Sequence, residues 1–396
     1  MQESAAGQKS MWLAACAIGL LYVGSTILTP LYPTYQREFH FSELIVTAIY
    51  AVYVIGNLAV LFFFGRLSDQ IGRRRTVLIA LILTCGSTLL FLFAGNVMWL
   101  FPARILNGFA AGLGAGALTA WIAELEPAGD RVRAARVASA FNLGGLAFGA
   151  LLAGALAQFA PWPLRTSYVV FLLLLVMMIV LLRWVRETVA EPVRELSLRP
   201  RVGVPRDLRL AFVAPAAIAF AAFALGGFYA ALAPDLLVRS LHHREPLLIG
   251  GIVALFFACG AATVPLARRL QGRAAIIAAL ALLWAGLCLL LLAEGLHSMA
   301  LLVLASVLTG ASMALGYRGS LQIINEIAPE RQRAELVSSF LLVCYSANSL
   351  PVIGVGLLSL IAGAATAHRV FAAVLVALAT LACAIGLRSS RPAPGN

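Results

Sequence analysis

One polar stretch, GRLSDQIGRRR at 65–75, combines glycines, an acid and arginines at close spacing between two long apolar runs. Gly65 and Gly72 permit close backbone approach and a positive φ angle. Asp69 can accept hydrogen bonds from the unpaired N–H groups at the start of a neighbouring helix. This combination predicts a turn that binds other parts of the chain.

Arg73 in the same stretch needs an acidic partner. The candidate is Glu124, with Glu126 behind it. Contacts of this kind, made in one conformation and broken in another, would form a conformational latch. The alternative is a solvated turn, which is our interpretation of Arg66 and Arg75. The residues we assign to the latch are Gly65, Asp69, Gly72, Arg73 and Glu124.

Two arginines fall inside apolar runs, where charged groups are costly. An arginine at the centre of a membrane helix costs about 2.5–3.5 kcal/mol or more, so such residues usually face a cavity and mark function. Arg104 lies a few residues inside one run, and its alternative is to extend to the nearby membrane surface. Arg318, in GYRGSLQIINE, has the same two interpretations. Guanidinium groups in a cavity would bind an anionic or zwitterionic molecule through charge-assisted hydrogen bonds.

Other polar and aromatic residues in the apolar runs are candidates to line the same cavity. Tyr50, Tyr53 and Asn57 share one helix face by their spacing. The alternative for the asparagines is a role in helix–helix packing. The predicted cavity residues are Arg104, Asn107, Tyr53, Asn57, Asn142, Tyr229, Arg318, Tyr345 and Asn348.

Acidic residues are missing from the middle of the apolar runs, which limits the candidates for binding a proton. The 17 Asp and Glu residues lie in loops or at the ends of apolar runs, where Glu43, Glu124, Asp235 and Glu294 are the candidates for carrying protons. The sequence therefore allows coupling of the protein's function to protons but assigns no residue that carries the proton.

The six cysteines lie inside apolar runs without CxxC spacing, so we expect no metal and no cofactor. HExxH, GxSxG and Walker patterns are missing, and we expect no enzyme activity.

Composition places the chain in a membrane. Hydrophobic residues make up 62% of its 396 residues and charged residues 12%, with a mean hydropathy of +0.94. Soluble domains carry roughly 25% charged residues. The net charge of +12 does not indicate nucleic-acid binding, because most arginines lie in short loops rather than on one surface. The lipid bilayer is the expected partner, and we expect a monomer.

Twelve apolar stretches are long enough to cross a bilayer core, which needs about 20 residues. They are 11–34, 43–65, 75–95, 98–122, 134–158, 166–185, 210–234, 247–267, 274–293, 298–324, 334–360 and 367–387. A polar linker rich in Arg and Pro divides them into six and six. ELEPAGDRVRA at 124–134 also resembles EIAPERQRA at 326–334, which indicates a repeat.

These stretches predict an all-α polytopic membrane protein with twelve transmembrane helices in two pseudo-symmetric six-helix bundles. The predicted units are residues 1–185, a cytoplasmic central loop at 186–209, and residues 210–396. Most basic residues lie in the segments that share a side with the N-terminus. The positive-inside rule then places both termini in the cytoplasm, in a multi-pass protein of the inner (plasma) membrane.

With these features the chain resembles the major facilitator superfamily of secondary transporters, over nearly its whole length. The family pattern between the second and third spans, G-x-L-a-D-r-x-G-R-R/K, is filled by Gly65, Leu67, Asp69, Gly72, Arg73 and Arg74. The pattern L-x-x-x-R-x-x-Q-G of the fourth span meets LFPARILNG, with Asn107 in place of Gln. In GLAFGALLAG at 145–154, Ala150 stands where exporters of the family carry proline.

The resemblance implies that Asp69 contacts the start of the eleventh span, near Ala334, when the cytoplasmic side is shut. It also implies alternating access by rocking of the two halves around a small-molecule substrate, possible coupling to protons, and a likeness to the bacterial drug and metabolite exporters. Efflux of a drug-like or amphipathic metabolite is the first expectation. Uptake of a small anionic or zwitterionic metabolite is the alternative, favoured by Arg104, Arg318 and the missing proline.

Overall fold

The structure is a computed structural model that describes residues 2–189, 202–267, 269–270 and 272–388. These residues form helices and loops and contain no strand, which confirms the predicted all-α class. Residues 190–201 of the predicted central loop lie outside the described residues.

Twelve helical segments are long and apolar enough to cross a membrane, and each matches one predicted stretch. They are α1 (Gly7–Phe39), α2 (Glu43–Phe64), α3 (Arg73–Leu92), α4 (Val97–Leu125), α5 (Arg131–Phe159), α6 (Pro163–Leu182), α7 (Arg206–Ala231), α8 (Pro246–Leu266), α9 (Gly272–Gly295), α10 (Met299–Ile327), α11 (Arg333–Ala362) and α12 (Ala364–Ala382).

Most segments begin or end a few residues from the predicted boundaries, and at the ends of two of them a proline alters the winding of the chain. The first segment continues past 34, since Pro30 and Pro33 sit in first-turn positions of a 3₁₀ turn and of a new helix that ends at Phe39. The seventh ends at Ala231 rather than 234. A short helix containing Pro234 and a π-helical turn, Leu236–Ser240, follow it.

The buried apolar side chains fall mainly into two large clusters. One consists of residues between Met11 and Val185. The other lies in the second half of the chain, together with Tyr50, Ala147 and Ala150 from the first half. The halves therefore pack against each other through α2 and α5, while each keeps a core of its own. The exact limits of the two predicted units stay a prediction.

Successive spans joined by short connections run in opposite directions, so the bundle has two distinct faces. We call the face with the start of α1 and the ends of α6 and α12 the linker face, and the opposite one the far face. Three hydrogen bonds join the halves toward the far face. They run from Thr29 Oγ1 to Ala230 O (2.9 Å), from Leu247 N to Gln158 Oε1 (3.1 Å) and from Ser359 Oγ to Glu43 Oε1 (3.5 Å).

Candidate functional site

A cavity of about 1150 Å³ lies between the two halves. Its lining includes Arg131, the first residue of α5, Asn325 near the end of α10, and Arg269 between α8 and α9, all of which lie at the linker face. The interhelical bonds close the far face. The cavity is therefore open toward the linker face, large enough for a drug-sized molecule.

The lining of this cavity is rich in arginine and tyrosine. The described lining contains no Asp and no Glu. Its five arginines and five tyrosines are Arg104, Arg131, Arg136, Arg269, Arg318, Tyr22, Tyr50, Tyr53, Tyr317 and Tyr345. Apolar ring faces beside positive charges suit a molecule that carries both an apolar body and an anionic group.

Arg104 lies at the closed end of the cavity and does not extend to a membrane surface. It is 1% exposed, and its Nη1 donates a 3.0 Å hydrogen bond to the backbone oxygen of Ser25. Its guanidinium carbon lies 5.3 Å from the ring centre of Tyr50 and 5.0 Å from that of Tyr53, within cation–π range. The Tyr53 hydroxyl is fixed by a 3.0 Å hydrogen bond with Ser25 Oγ.

The Arg104 charge is not compensated by an acid. Its Nε has no hydrogen-bond partner, and no carboxylate lies within ion-pair distance of it, among the residues that the structure describes. A buried cation without a counter-charge is electrostatically costly. An anionic ligand at the closed end of the cavity would remove that cost.

Arg318 has a different environment, close to the linker face. Its Nη1 donates hydrogen bonds to the backbone oxygens of Val264 (3.3 Å) and Ala267 (3.2 Å), where α8 ends. The last carbonyl groups of a helix carry partial negative charge, so a cation stabilises them. Arg318 thus lines the cavity while it also caps a helix.

Four of the other predicted cavity residues, Tyr53, Asn142, Tyr345 and Asn348, also line the cavity. Tyr229 does not, and its predicted role is corrected. Its side chain is fully buried, its ring stacks on Phe256 with 4.1 Å between ring centres, and its hydroxyl accepts a 3.1 Å hydrogen bond from Thr309. It belongs to the packing of the second half.

Asn57 and Asn107 are likewise outside the lining, in contacts between helices of the first half. A Cβ atom at Gly112 of α4 would come within 2.8 Å of Asn57 Oδ1, and one at Gly24 of α1 within 2.9 Å of Asn107 Nδ2. Both asparagines are 2% exposed. The packing alternative therefore describes them better than the cavity prediction.

Sequence reasoning missed part of the lining. No cavity role is predicted from the sequence for Arg131, Arg136 and Arg269, which stand at the cavity mouth. Tyr317 was not singled out, yet it lines the cavity and packs edge-on against Phe223. Its position next to an intramembrane arginine was the available signal.

The polar turn at 65–75 is organised around Arg73. The Arg73 guanidinium lies 2.5 Å from Asp69 Oδ1 and 3.0 Å from Glu124 Oε1, and it donates a 2.7 Å hydrogen bond to Ser68 Oγ. The predicted pairing of Arg73 with Glu124 is present in the structure. Glu126 does not support this pair, since it binds Arg133 instead (3.0 Å).

Two other expectations for the turn are not met in this conformation. The Asp69 side chain is 58% exposed and pairs with Arg73, and no hydrogen bond joins it to α11 within the described residues. The reason is that the halves are apart at the linker face. Gly65 has a helical φ of −58°, and a Cβ there would meet only its own helix, at 3.3 Å from Leu61 O.

Glu187, in the predicted central loop, is an unexpected partner of the turn. Its carboxylate accepts hydrogen bonds from the backbone nitrogens of Arg73 (2.9 Å) and Arg74 (3.0 Å), which are unpaired N–H groups at the start of α3. Gly72 permits this arrangement because its φ is +105° and because a Cβ would come within 2.5 Å of Glu187 Oε2. The motif glycine therefore leaves room for an acid from the linker.

We expect Gly72→Ala to lower stability more than Gly129→Ala. Both glycines have a positive φ, but a Cβ at Gly129 would meet nothing within 4 Å. Gly129→Ala therefore carries only backbone strain, whereas Gly72→Ala also displaces Glu187. The N–H groups of Arg73 and Arg74 are partly buried, so the difference should be about 1 kcal/mol, the lower end of the cost of leaving buried N–H groups unpaired. Unfolding midpoints in detergent measure it, and equal midpoints would contradict this account of Glu187.

The chain is similar in sequence to a family of membrane transporters and to two drug-resistance proteins. A family model described as Major Facilitator Superfamily matches residues 14–350. Multidrug resistance protein 2 of Bacillus subtilis is 26% identical over 160 residues, which cover 40% of each chain. The class B tetracycline resistance protein of Escherichia coli is 30% identical over 170 residues, 42% of this chain and 41% of the relative. The matches thus span about two fifths of these relatives.

Solved structures share the fold over nearly the whole chain. A bacterial homologue of the human lysosomal transporter Spinster, in an inward-facing and unoccupied conformation, superposes with a TM-score of 0.73 at 14% identity, covering 98% of this chain and 99% of that one. The human organic anion transporter MFSD10 (TETRAN) gives a TM-score of 0.69 at 16% identity, covering 95% and 99%.

Proposed function

The chain belongs to the Major Facilitator Superfamily, and from that premise we propose that it is a secondary transporter that exports an amphipathic, drug-like molecule with an anionic group. The observation that carries this proposal is the cavity lining, which combines five arginines with five tyrosines and has no acidic residue among its described members. An organic cation would find no counter-charge there. An organic anion would find several.

Export is favoured by the relatives, which are named for resistance to several drugs and to tetracycline. The direction also depends on orientation. We infer from the arginine-rich linker face that this face is cytoplasmic, with both termini on that side. The structure would then be the state that receives cargo from the cytoplasm.

Uptake of a small anionic metabolite is the second candidate function. The same arginines support it, and Ala150 occupies the position where exporters of the family carry proline. In the structure Ala150 is fully buried, and its backbone oxygen would lie 2.3 Å from a Cβ at Gly250 of α8. The two helices therefore make this close contact without a proline in α5. The missing proline does not distinguish uptake from export, and the transport measurement decides between them.

The function is tested first by ligand binding. A panel of matched aromatic carboxylates, their amides and aromatic amines is added to the purified protein, and the unfolding midpoint is recorded. A ligand that binds only the folded protein stabilises it by RT ln(1 + [L]/Kd), about 2.7 kcal/mol at 100 Kd. We expect stabilisation by carboxylates and not by their amides or by amines. Stabilisation by amines alone would contradict the anionic cargo.

Transport of a ligand found in this way is then measured in proteoliposomes of known orientation, with and without an imposed pH gradient. Accumulation on the far-face side supports export, and accumulation on the linker-face side supports uptake. A rate that responds to the pH gradient supports proton antiport, which this proposal includes as the energy source.

A further inference from the structure

Four ionisable side chains are buried on the far face, away from the cavity. Glu43 begins α2 in the first half of the chain. Asp235 follows α7, Glu294 lies at the end of α9, and His368 lies in α12, all in the second half. Their exposed fractions are between 1% and 9%. None of them lines the cavity, so the proposed cargo site does not explain them.

Two of these groups compensate each other. His368 Nδ1 lies 3.0 Å from Glu294 Oε1, and Ser240 Oγ donates a 3.2 Å hydrogen bond to the same oxygen. Asp235 is compensated on one side only. Its Oδ1 lies 2.7 Å from Arg239 Nε, while its Oδ2 is buried and has no hydrogen-bond partner among the described residues.

Glu43 faces this group from across the boundary between the halves. Its carboxyl interacts electrostatically with Asp235, Arg239 and His368. Its one hydrogen bond within the described residues, from Ser359 Oγ, is long at 3.5 Å. Arg239 is the nearby cation, but 56% of its side chain is exposed, so water screens its effect. Two buried carboxyls therefore share an insufficient positive charge.

We propose that Glu43 and Asp235 together form a proton-binding site that is loaded when the far face closes. Burying an uncompensated carboxylate is costly, and protonation removes that cost. Protonation of either carboxyl also removes the electrostatic repulsion between Glu43 and Asp235. Burial raises the pKa of the Asp235 carboxyl, and Arg239 opposes this effect. His368 interacts electrostatically with both carboxyls, and its Nε2 is buried without a hydrogen-bond partner among the described residues.

The other charged groups near this region are exposed or have partners of their own. Arg369 acts on Glu294. His297 Nδ1 lies 2.5 Å from the backbone oxygen of Ser240. Arg37 and Glu38, at the end of α1, are exposed. The Glu43–Asp235 pair is thus the place where closing the far face leaves a negative charge unbalanced.

The sign of the pH effect follows from this arrangement. The closed far face binds more protons than the open one, so lowering the pH favours closure. The ratio of closed to open protein should rise by up to about tenfold per pH unit for each proton taken up. In the proposed orientation an acidic exterior would drive the transporter toward the state that receives cargo from the cytoplasm.

The experiment measures far-face opening without substrate. Spin labels are attached at His40→Cys and Arg244→Cys, exposed positions in opposite halves, after the six native cysteines are replaced. Pulsed electron resonance records the distance between labels from about pH 8 to about pH 5, where carboxyl groups with raised pKa values titrate. We expect the short-distance population to grow as the pH falls.

The Glu43→Gln/Asp235→Asn variant should show the short distance at every pH, because its neutral amides need no proton. Glu38→Gln, an exposed acid at the same face, should behave like the parent protein. One result would overturn the proposal: a pH response that survives in the double variant. If that surviving response also disappears in His368→Gln, the histidine rather than the carboxyl pair takes up the proton.

This inference rests on the proposed alternating-access transport. A second part of the experiment distinguishes a failure of the proton site from a failure of the transport function. A ligand identified by thermal stabilisation is added at constant pH. If the ligand changes the label distance and pH does not, the proton site is wrong and the transport function stands. If neither changes the distance, the moving far face itself is wrong.

Discussion

Arg104→Gln is expected to bind an anionic cargo about 10- to 100-fold more weakly and to reduce its transport to background. Hydrogen bonds to charged groups contribute about 1.5–3 kcal/mol, and each 1.4 kcal/mol is tenfold in affinity. Arg104 has no acidic partner within the described residues, so its charge remains available to a ligand at the closed end of the cavity. Ligand-induced stabilisation and proteoliposome uptake measure the two effects.

The matched control is Arg136→Gln. Arg136 also lines the cavity but is exposed near its mouth, where water screens its charge. We expect only a small loss for this variant. Elution volume and helical circular dichroism establish that both variants are folded. Transport by Arg104→Gln at the parent rate would exclude a cargo-binding role for this residue.

The second large effect is expected at the linker-face turn. Arg73→Gln should slow maximal transport at least about tenfold, equivalent to about 1.4 kcal/mol in the activation free energy, while cargo affinity changes little. Arg73 connects Asp69, Ser68 and Glu124, all outside the cavity lining. Loss of these contacts should disturb the conformational change rather than binding. Initial rates at varied cargo concentration separate the maximal rate from the half-saturating concentration.

Arg75→Gln is the control from the same arginine run, because Arg75 is exposed. It should transport like the parent protein. The reversed pair Arg73→Glu/Glu124→Arg should recover part of the rate lost in Arg73→Gln, since it restores an ion pair between the turn and the end of α4. Equal transport rates for Arg73→Gln and Arg75→Gln would contradict the latch and would favour the interpretation of the turn as a solvated loop.

The fold could be predicted because the bilayer constrains it strongly. Each span must satisfy its backbone hydrogen bonds internally and must be about 20 apolar residues long, so composition and length suffice to find all twelve. The partner of Arg73 was also predictable. Glu124 lies at the end of the span that carries Arg104, and the direction of that span places it on the face of the turn.

The rotation of each span was harder to predict. Asn57 shares a helix face with Tyr50 and Tyr53 by spacing, yet its side chain packs against Gly112 of α4 instead of the cavity. Tyr229 lies on a helix that is apolar on nearly all sides, so the sequence carries no clear mark of which side of that helix faces the cavity. Glu187 was missed because its segment is polar and aperiodic and was interpreted only as a linker. Asp69 was assigned a contact that depends on conformation, and one structure shows one conformation.

The Glu187 contact also sets the length of the covalent connection between the halves. Glu187 and Thr188 bind the first half through Arg73 and Glu124, and Val189 N in turn binds Glu187. On the other side, Gly203 N donates a 3.0 Å hydrogen bond to Ser339 Oγ of α11 in the second half. About 14 residues then join the two attachment points, with a contour length of about 46–50 Å at 3.3–3.6 Å per residue. The linker is thus a tether with a fixed upper limit, which allows the linker face to open but bounds how far the halves can separate there.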